Sequence, residues 1–273
     1  MKGTLYIVST PIGNLEDITL RAVRVLKEVD VIAAEDTRHS AKLLHHYGIS
    51  RPLVSYWGEK EKVKSDEVLA KLRDGQSVAL ISDSGTPGIS DPGGVLIKKA
   101  AEEGIALISV PGPSALVAAC SLSALPVKEF TFIGFLPPRK AQRQRALREL
   151  SLEKRTLVFY EAPHRIVEAL EDMAEIFGGR NAALVKEITK VHEEVLRGRL
   201  ADILLMLHNK TVAGEYVVVV EGMKREEVSY EGALEEVKAF MKKGKGRKEA
   251  VKVVAEHYGL SKNELYERSL GET

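Results

Sequence analysis

Short apolar runs rich in β-branched residues alternate with longer amphipathic stretches along most of this chain. The strand-like runs are 5–9, 30–35, 77–83, 105–112, 130–136, 155–162, 182–188 and 215–222. Helical spacing of apolar residues lies between them, at 17–29, 65–75, 92–104, 164–178 and 200–208. Strands that are covered by helices on both faces read as continuous apolar runs, so this alternation predicts an α/β architecture.

Breaks in this pattern divide the chain into three parts. The sequence VPGPS at 110–114 ends the first set of strand–helix units, and a second set runs to about residue 222. The run 223–227 interrupts the alternation, and the remainder has only helical patterns. We therefore predict one α/β domain at 1–111, a second at 112–224 and a small helical module at 225–273.

The composition argues against several classes of protein. A formal net charge of +1 gives no strong overall field toward nucleic acid or membrane, so any such attraction must come from a local patch. No apolar stretch approaches the roughly 20 residues of a membrane span, and the first residues lack the pattern of a signal peptide. The single cysteine, Cys120, lies in an apolar run and fits a reducing compartment. We therefore expect a cytoplasmic protein with no membrane partner.

Glycine and proline cluster directly after three predicted strands, at 9–14, 82–94 and 110–115. Ligands of open α/β sheets bind beyond the carboxyl ends of the strands, where glycine permits close backbone approach and proline stiffens the loop. Each loop alone fits a tight turn, but 82–94 is long for a strand–helix connection. Together the three loops predict a rigid pocket lined by backbone. No P-loop motif, no G-x-G-x-x-G after a strand and no zinc motif occurs, so we expect neither an ordinary nucleotide site nor a metal.

Eight segments resemble, in order, the ribosomal RNA small subunit methyltransferase I family of the tetrapyrrole methylase superfamily. They are STPIGNLEDITLRA (9–22), AEDTRHS (34–40), SDSGTPGISDPG (82–93), VPGPSA (110–115), FIGFLP (132–137), YEAPHRI (160–166), KEITKVHEE (186–194) and GEYVVVVEG (214–222). The resemblance spans residues 3 to 222. It implies two αβα domains with an S-adenosylmethionine cleft between them, usually as a homodimer. It also implies methylation of the 2'-oxygen of a cytidine in the decoding region of 16S rRNA within the 30S subunit.

Positions that match the family's cofactor site come from both domains. By this resemblance, the cofactor-binding residues are Asp83, Ser84, Gly85, Pro111, Gly112, Pro113, Ser114, Phe132, Gly134 and Ala162. In-line methyl transfer mainly requires alignment of the reacting atoms, although a base helps to remove the proton of a 2'-hydroxyl. The candidate bases are Glu35, Asp36, Glu161, His164 and Glu187.

Several of these candidates have a structural alternative. Asp36 or Thr37 could instead cap the next helix, and His164 could be a half-buried structural residue. Lys186, Glu187 and Lys190 fit either a solvated surface or a substrate patch, and the resemblance favours RNA contact. Arg38 and Arg165 lie beside candidate bases and are predicted to contact RNA.

The segment 137–150 is strongly basic. It carries Arg139, Lys140, Arg143, Arg145 and Arg148, with Glu149 as its only acid. Arginines at spacings of three and four predict a one-sided stripe that suits phosphate, although a solvated helix face has the same pattern. In the tail, Ala255, Gly259 and Ser261 have a helix-turn-helix-like spacing, and Ser261 with Glu264 predicts a capping box. Ordinary helical hairpins share these signals; we favour an auxiliary RNA-binding module.

Two other functions remain open from the sequence. A tetrapyrrole (corrin precursor) methylase would share the cofactor site, but the basic stripe and the helical tail argue against it and against a diphthine-type protein methylase. A non-catalytic RNA-binding ribosome-assembly factor with a vestigial pocket is the alternative from a different class.

Overall fold

The computed structural model describes residues 2–56, 61–208, 210–224, 230–258 and 260–270. Within these described residues, ten strands form two five-stranded sheets, and the predicted α/β class is confirmed. The chain consists of two compact units, Met1–Glu221 and Gly222–Thr273. Both sheets belong to the first unit.

The first sheet is parallel throughout, with the order β3-β2-β4-β1-β5. Its strands are β1 (Thr4–Val8), β2 (Val31–Ala34), β3 (Leu53–Ser55), β4 (Val78–Ile81) and β5 (Ala106–Val110). Its helices are α1 (Leu20–Glu28), α2 (Thr37–His46), α3 (Glu61–Arg73) and α4 (Gly94–Glu102), and a 3-10 turn spans Leu15–Asp17.

Two apolar layers enclose this first sheet. Val31 and Ala33 of β2 face the layer that contains residues of α3 and α4. Ile32 and Ala34 of the same strand face the layer that contains residues of α1 and α2. Burial on both faces explains why β2 and β4 read as uninterrupted apolar runs.

The second sheet is mixed, with the order β6-β7-β10-β8-β9, and only β6 and β7 run parallel. Its strands are β6 (Phe130–Phe135), β7 (Thr156–Glu161), β8 (Asn181–Lys186), β9 (Glu194–Arg199) and β10 (Tyr216–Val220). Residues of α6 (Lys140–Glu149), α7 (Ile166–Phe177) and α8 (Leu200–His208) pack on one face, and α5 (Ala115–Leu122) packs on the other. The predicted boundary at 111/112 falls between β5 and α5.

The sequence patterns did not predict β3 or β9. Both are edge strands of their sheets. β3 has three residues, and most of β9 is only partly buried. Neither strand therefore carries the apolar run by which the central strands were recognised.

The second unit contains α9 (Tyr230–Lys242), α10 (Arg247–Tyr258) and α11 (Lys262–Leu270) around its own apolar core. Ser261 caps α11, since its Oγ accepts a hydrogen bond from Glu264 N at 3.4 Å. The Glu264 carboxylate instead accepts from Tyr230 and pairs with Arg268, so the predicted capping box is half formed. Gly259 and the interrupting residues 225–227 lie outside the described part of the chain. No helix among the described residues is long and apolar enough to cross a bilayer.

Candidate active site

The three glycine-rich loops meet at one edge of the first sheet, because β4, β1 and β5 are parallel neighbours. Thr10 and Gly85 form an isolated bridge, with N···O distances of 2.9 and 3.2 Å. The hydroxyls of Ser9 and Thr86 are 2.8 Å apart, and Ser9 N donates to the Val110 carbonyl at 3.2 Å. These bonds tie the loops after β1, β4 and β5 together, as the sequence predicted.

Gly85 adopts a conformation that suits glycine, with φ of 76°. A Cβ built there would lie 3.5 Å from Ile12 Cγ2 and 3.8 Å from the Pro113 carbonyl oxygen. All three loops therefore pack around a backbone segment that carries no side chain.

A cavity of about 570 Å³ lies between these loops and the second sheet. Its lining consists of Ile12, Ser84, Gly85, Thr86, Ile89, Ser90, Asp91, Ser114, Ala115, Leu116, Phe135, Tyr160, Glu161, Ala162, Pro163, Glu215, Tyr216 and Val217. The two α/β parts both contribute, and most of the lining side chains outside the loops are apolar or aromatic.

The cavity contains part of the predicted cofactor set. Four of the ten predicted residues line it, namely Ser84, Gly85, Ser114 and Ala162. The other six, Asp83, Pro111, Gly112, Pro113, Phe132 and Gly134, are not among its lining residues. Several of these six support residues of the loops or the lining: Gly112 packs under Ser9, and the Phe132 ring lies 4.9 Å from that of Tyr160.

Asp36 is the N-cap of α2, which is the structural alternative that the sequence left open. Its side chain accepts a hydrogen bond from Arg38 N at 2.8 Å and pairs with the Arg38 guanidinium at 3.1 Å. The bonds from Arg38 lower the pKa of Asp36 to about 2. Such a carboxylate is a weak base, and Arg38 itself is exposed at the surface.

Glu35 and Asp91 have raised pKa values, in contrast to Asp36. Burial raises the pKa of Glu35, and the nearby carboxylates of Asp91, Asp83 and Asp36 add to the effect. Burial likewise raises the pKa of Asp91, with further contributions from Asp83 and Glu215, against a hydrogen bond from Ser82. Of the two, Asp91 lines the cavity. Asp91 belongs to the long loop 82–94, but its position next to the cavity depends on tertiary contacts that the sequence pattern does not show.

Glu161 and Glu187 both have cationic partners. Glu161 is buried, accepts from Ala162 N at 2.9 Å and pairs with Arg165 at 2.7 Å. Glu187 accepts from Lys190 Nζ at 2.8 Å and from Glu215 N at 2.9 Å. Although burial opposes them, these bonds lower the pKa of Glu187.

Residues 187–190 connect the two α/β parts. A Cβ on Gly13 would lie 2.5 Å from Lys190 Cγ, so the lysine stem packs directly on the loop after β1. Thr189 Oγ1 donates to Asp17 at 2.5 Å. Glu187 and Thr189 have φ of 50° and 66°, in the left-handed region that non-glycine residues seldom occupy.

His164 is exposed in the turn before α7, and Lys186 Nζ donates to the Thr211 carbonyl at 3.3 Å.

The predicted basic stripe on α6 is wrong at Arg143. The Arg143 side chain is 1% exposed and pairs with Asp172 at 2.6 Å and with Glu168 at 3.3 Å. These acids come from α7, so counting acids within the segment alone missed them. The remaining basic residues of the stripe are exposed: Arg139, Lys140, Arg145 and Arg148. Within the described residues, no cluster of His, Cys, Asp or Glu could hold a metal ion.

Comparison with known proteins gives two family matches. Residues 4–204 match the family of tetrapyrrole (corrin/porphyrin) methylases. Residues 247–272 match the RsmI C-terminal HTH domain. The first match covers most of both sheets, and the second covers α10 and α11.

Curated relatives resemble the chain over nearly its whole length. It is 46% identical over 271 residues to ribosomal RNA small subunit methyltransferase I of Halalkalibacterium halodurans, covering 97% of this chain and 94% of the relative. It is 41% identical to the proteins of the same name from Bacillus subtilis and Escherichia coli O157:H7, covering 97% and 98% of this chain and 93% and 95% of those relatives.

Solved structures share the fold at lower identity. A uroporphyrin-III-C-methyltransferase from Thermus thermophilus aligns with a TM-score of 0.59 at 24% identity, covering 81% of this chain and 94% of that one. A diphthine synthase aligns with a TM-score of 0.61 at 15% identity, covering 80% and 90%. The sequence relatives, the two family matches and the loops that converge on one cavity agree, and the chain belongs to the ribosomal RNA small subunit methyltransferase I family of tetrapyrrole-methylase-fold proteins.

Proposed function

We propose that this chain transfers a methyl group from S-adenosylmethionine to the ribose 2'-oxygen of a cytidine in the decoding region of 16S rRNA, within the 30S subunit. The observation that carries the proposal is the cavity of about 570 Å³ between the glycine-rich loops and the second sheet. Membership of the rRNA methyltransferase family supports RNA as the acceptor.

The cavity suits S-adenosylmethionine in size and in the character of its walls. Small-molecule sites usually measure about 300–1,000 Å³ and combine apolar walls with a few polar groups. Ser84 and Ser114 provide polar groups, and a Cβ at Gly85 would reduce the cradle next to Ile12. A solved uroporphyrin-III C-methyltransferase with the same fold is complexed with S-adenyl homocysteine, which supports the same class of cofactor.

In the proposed reaction, some lining residues of the cavity bind the cofactor and another accepts a proton. When bound, S-adenosylmethionine supplies the methyl group together with its own leaving group. Ser84, Gly85, Ser114 and Ala162 would hold it, and the surrounding apolar lining would exclude water. Asp91 is the cavity carboxylate with a raised pKa, so it is the residue that we assign to accept the proton of the acceptor hydroxyl. Burial, together with the charges of Asp83 and Glu215, would keep that pKa raised.

RNA would be held by the exposed cations of α6. Arg139 follows the cavity residue Phe135 by four positions, so α6 begins near the cavity. Its N-cap residue Arg139 and its exposed residues Lys140, Arg145 and Arg148 suit phosphate contacts. The C-terminal unit, which matches a helix-turn-helix family domain, would add a second contact with the RNA.

A cytoplasmic homodimer completes the proposal. The edge strand β5 and the helix α5 carry exposed apolar side chains, including Leu107 and Val117. Exposed apolar surface of this kind is typical of protein interfaces. Light scattering should give twice the mass of the chain if these surfaces associate.

The decisive experiment supplies labelled S-adenosylmethionine together with 30S particles from a strain that lacks this modification. Label in 16S rRNA, mapped by mass spectrometry to the 2'-oxygen of a single decoding-region cytidine, is the expected result. Label only in a precorrin offered in parallel would instead favour a tetrapyrrole methylase. Calorimetry that shows RNA binding but no cofactor binding would favour a non-catalytic assembly factor.

A further inference from the structure

Strand β6 contains a β-bulge next to the cavity. Phe132 lies opposite Val158 of β7, Gly134 lies opposite Phe159, and Phe135 lies opposite Tyr160, so Ile133 is the extra residue. Side chains three positions apart on a regular strand point to opposite faces. The bulge changes this, and Phe132 and Phe135 both lie on the face that carries Val158 and Tyr160.

The bulge is built from residues that suit it. Gly134 has φ of 74°, which favours glycine. Ile133 packs into the apolar core on the opposite face, among the residues of α6, α7 and α8. A Cβ on Gly134 would lie 3.8 Å from Ser90 Oγ, so the bulge abuts the 82–94 loop. Bulges beside active sites commonly redirect one side chain, and here the redirected side chain is Phe135.

Phe135 has a rigid support behind it. Its ring centroid lies 5.7 Å from that of Tyr160 in an edge-on arrangement, and Tyr160 makes the same kind of contact with Phe132 at 4.9 Å. Tyr160 Oη accepts a hydrogen bond from Leu116 N at 3.1 Å, in the first turn of α5. The aromatic group is therefore anchored to both the sheet and α5.

The Phe135 side chain nevertheless remains open to solvent. It is 54% exposed, although it lines the cavity. Burying a phenylalanine side chain fully is worth about 1.5–3 kcal/mol, so folding alone does not favour this placement. An aromatic ring that is supported on one side and open on the other suits stacking with an unpaired base, which is worth about 1–3 kcal/mol.

We infer that Phe135 is the platform on which the base of the target nucleotide stacks, and that it thereby positions the ribose of that nucleotide in the cavity. This inference rests on the proposed function. The polar groups assigned to the cofactor, Ser84 and Ser114, lie on the loops of the first sheet, whereas Phe135 lies on the second. Stacking recognises any base by its flat face, so Phe135 contributes to positioning more than to the choice of base.

The test compares Phe135→Ala and Phe135→Trp with Phe130→Ala. Phe130 is a matched control, because it lies on the same strand and is 39% exposed but does not line the cavity. We expect Phe135→Ala to lower kcat/KM for 30S particles about 5- to 150-fold, the equivalent of the stacking energy. Phe135→Trp and Phe130→Ala should stay within about threefold of the wild type. Affinity for S-adenosylmethionine, measured by calorimetry, should be the same in all four proteins.

A second readout detects stacking without catalysis. An RNA hairpin of the decoding region, with pyrrolocytidine at the target position, should lose fluorescence on binding the wild type and the Trp variant. The Ala variant should bind with less quenching.

Three results would overturn the inference. They are an unchanged kcat/KM in Phe135→Ala, an equal loss of cofactor affinity, and a change of oligomeric state that accounts for the loss. Failure of the wild type to methylate 30S particles would refute the proposed function instead, and the quenching experiment would still decide whether Phe135 stacks on RNA.

Discussion

Replacement of Arg143 by methionine distinguishes a structural arginine from an RNA-binding one. The side chains of Arg143 and Asp172 are 1% and 3% exposed. Methionine would fill much of the arginine's space but leave Asp172 with a single hydrogen bond, from Gln144 at 2.8 Å. Removal of one partner from a buried ion pair costs about 3–5 kcal/mol. Glu168, which is 66% exposed, can turn to water and adds little.

The expected loss of stability is large enough to measure by calorimetry. At about 2–4 °C per kcal/mol for a chain of this size, the Tm of Arg143→Met should fall by roughly 6–20 °C. Arg148→Met is the matched control, since Arg148 is exposed on the same helix, and its effect should stay within about 0.5 kcal/mol. The double variant Arg143→Met/Asp172→Leu should recover much of the loss, because it removes the orphaned charge.

The opposite pattern would refute this reasoning. If Arg143→Met kept the wild-type Tm and weakened RNA binding as much as Arg148→Met does, Arg143 would have to be a phosphate contact. The ion pair with Asp172 would then contribute nothing to stability.

Three other predictions concern the cavity loop, the strained segment and the basic helix. Because the pKa of Asp91 is raised, the folded chain binds the proton of this carboxyl more tightly than the unfolded chain does. The free energy of unfolding therefore falls as pH rises from the unfolded-state pKa of Asp91 to its folded-state pKa. Asp91→Asn should therefore raise the Tm at pH 7 but leave it unchanged at a pH below both pKa values of Asp91. The same variant should lose the rise of the methyl-transfer rate with pH. A pH–rate profile parallel to that of the wild type would count against Asp91 as the base. Gly214→Ala should cost about 1–3 kcal/mol, since its φ is 86° and a Cβ would lie 2.4 Å from Glu187 Cδ. Gly178→Ala is the control, since its φ is 65° and no atom lies within 4 Å of a Cβ built there, and it should lower the free energy of unfolding by less. Urea titration measures the free energy of unfolding of both variants. Neutralising any one of the exposed α6 cations should weaken RNA binding and reduce the salt slope of log K by about 1; an unchanged slope would place the RNA elsewhere.

Patterns of buried residues made the central architecture predictable. The strands β1, β2 and β4 are covered on both faces, so each appears as a run of apolar residues whatever its neighbours are. The edge strands β3 and β9 lack that double burial and were missed. The Gly- and Pro-rich loops were recognised because their conformational demands are local, as the positive φ of Gly85 illustrates.

Local sequence also determined some capping contacts. Asp36 is spaced correctly to cap α2, and the structure shows the bond to Arg38 N. The same pattern fitted a substrate-facing carboxylate equally well, so the sequence was compatible with both roles of Asp36.

Sequence alone determined the fold class, the family and the loops that make the cavity, because each depends on residues close together in the chain. Tertiary structure decided which charges are free and which side chains reach the cavity. Arg143 is neutralised by acids from α7, 25 and 29 positions further along the chain. Phe135 faces the cavity because of one extra residue in β6, and Asp91 has a raised pKa because folding buries it near Asp83 and Glu215. Charge pairing and strand register depend on residues that are far apart in the chain, so local sequence patterns do not predict them.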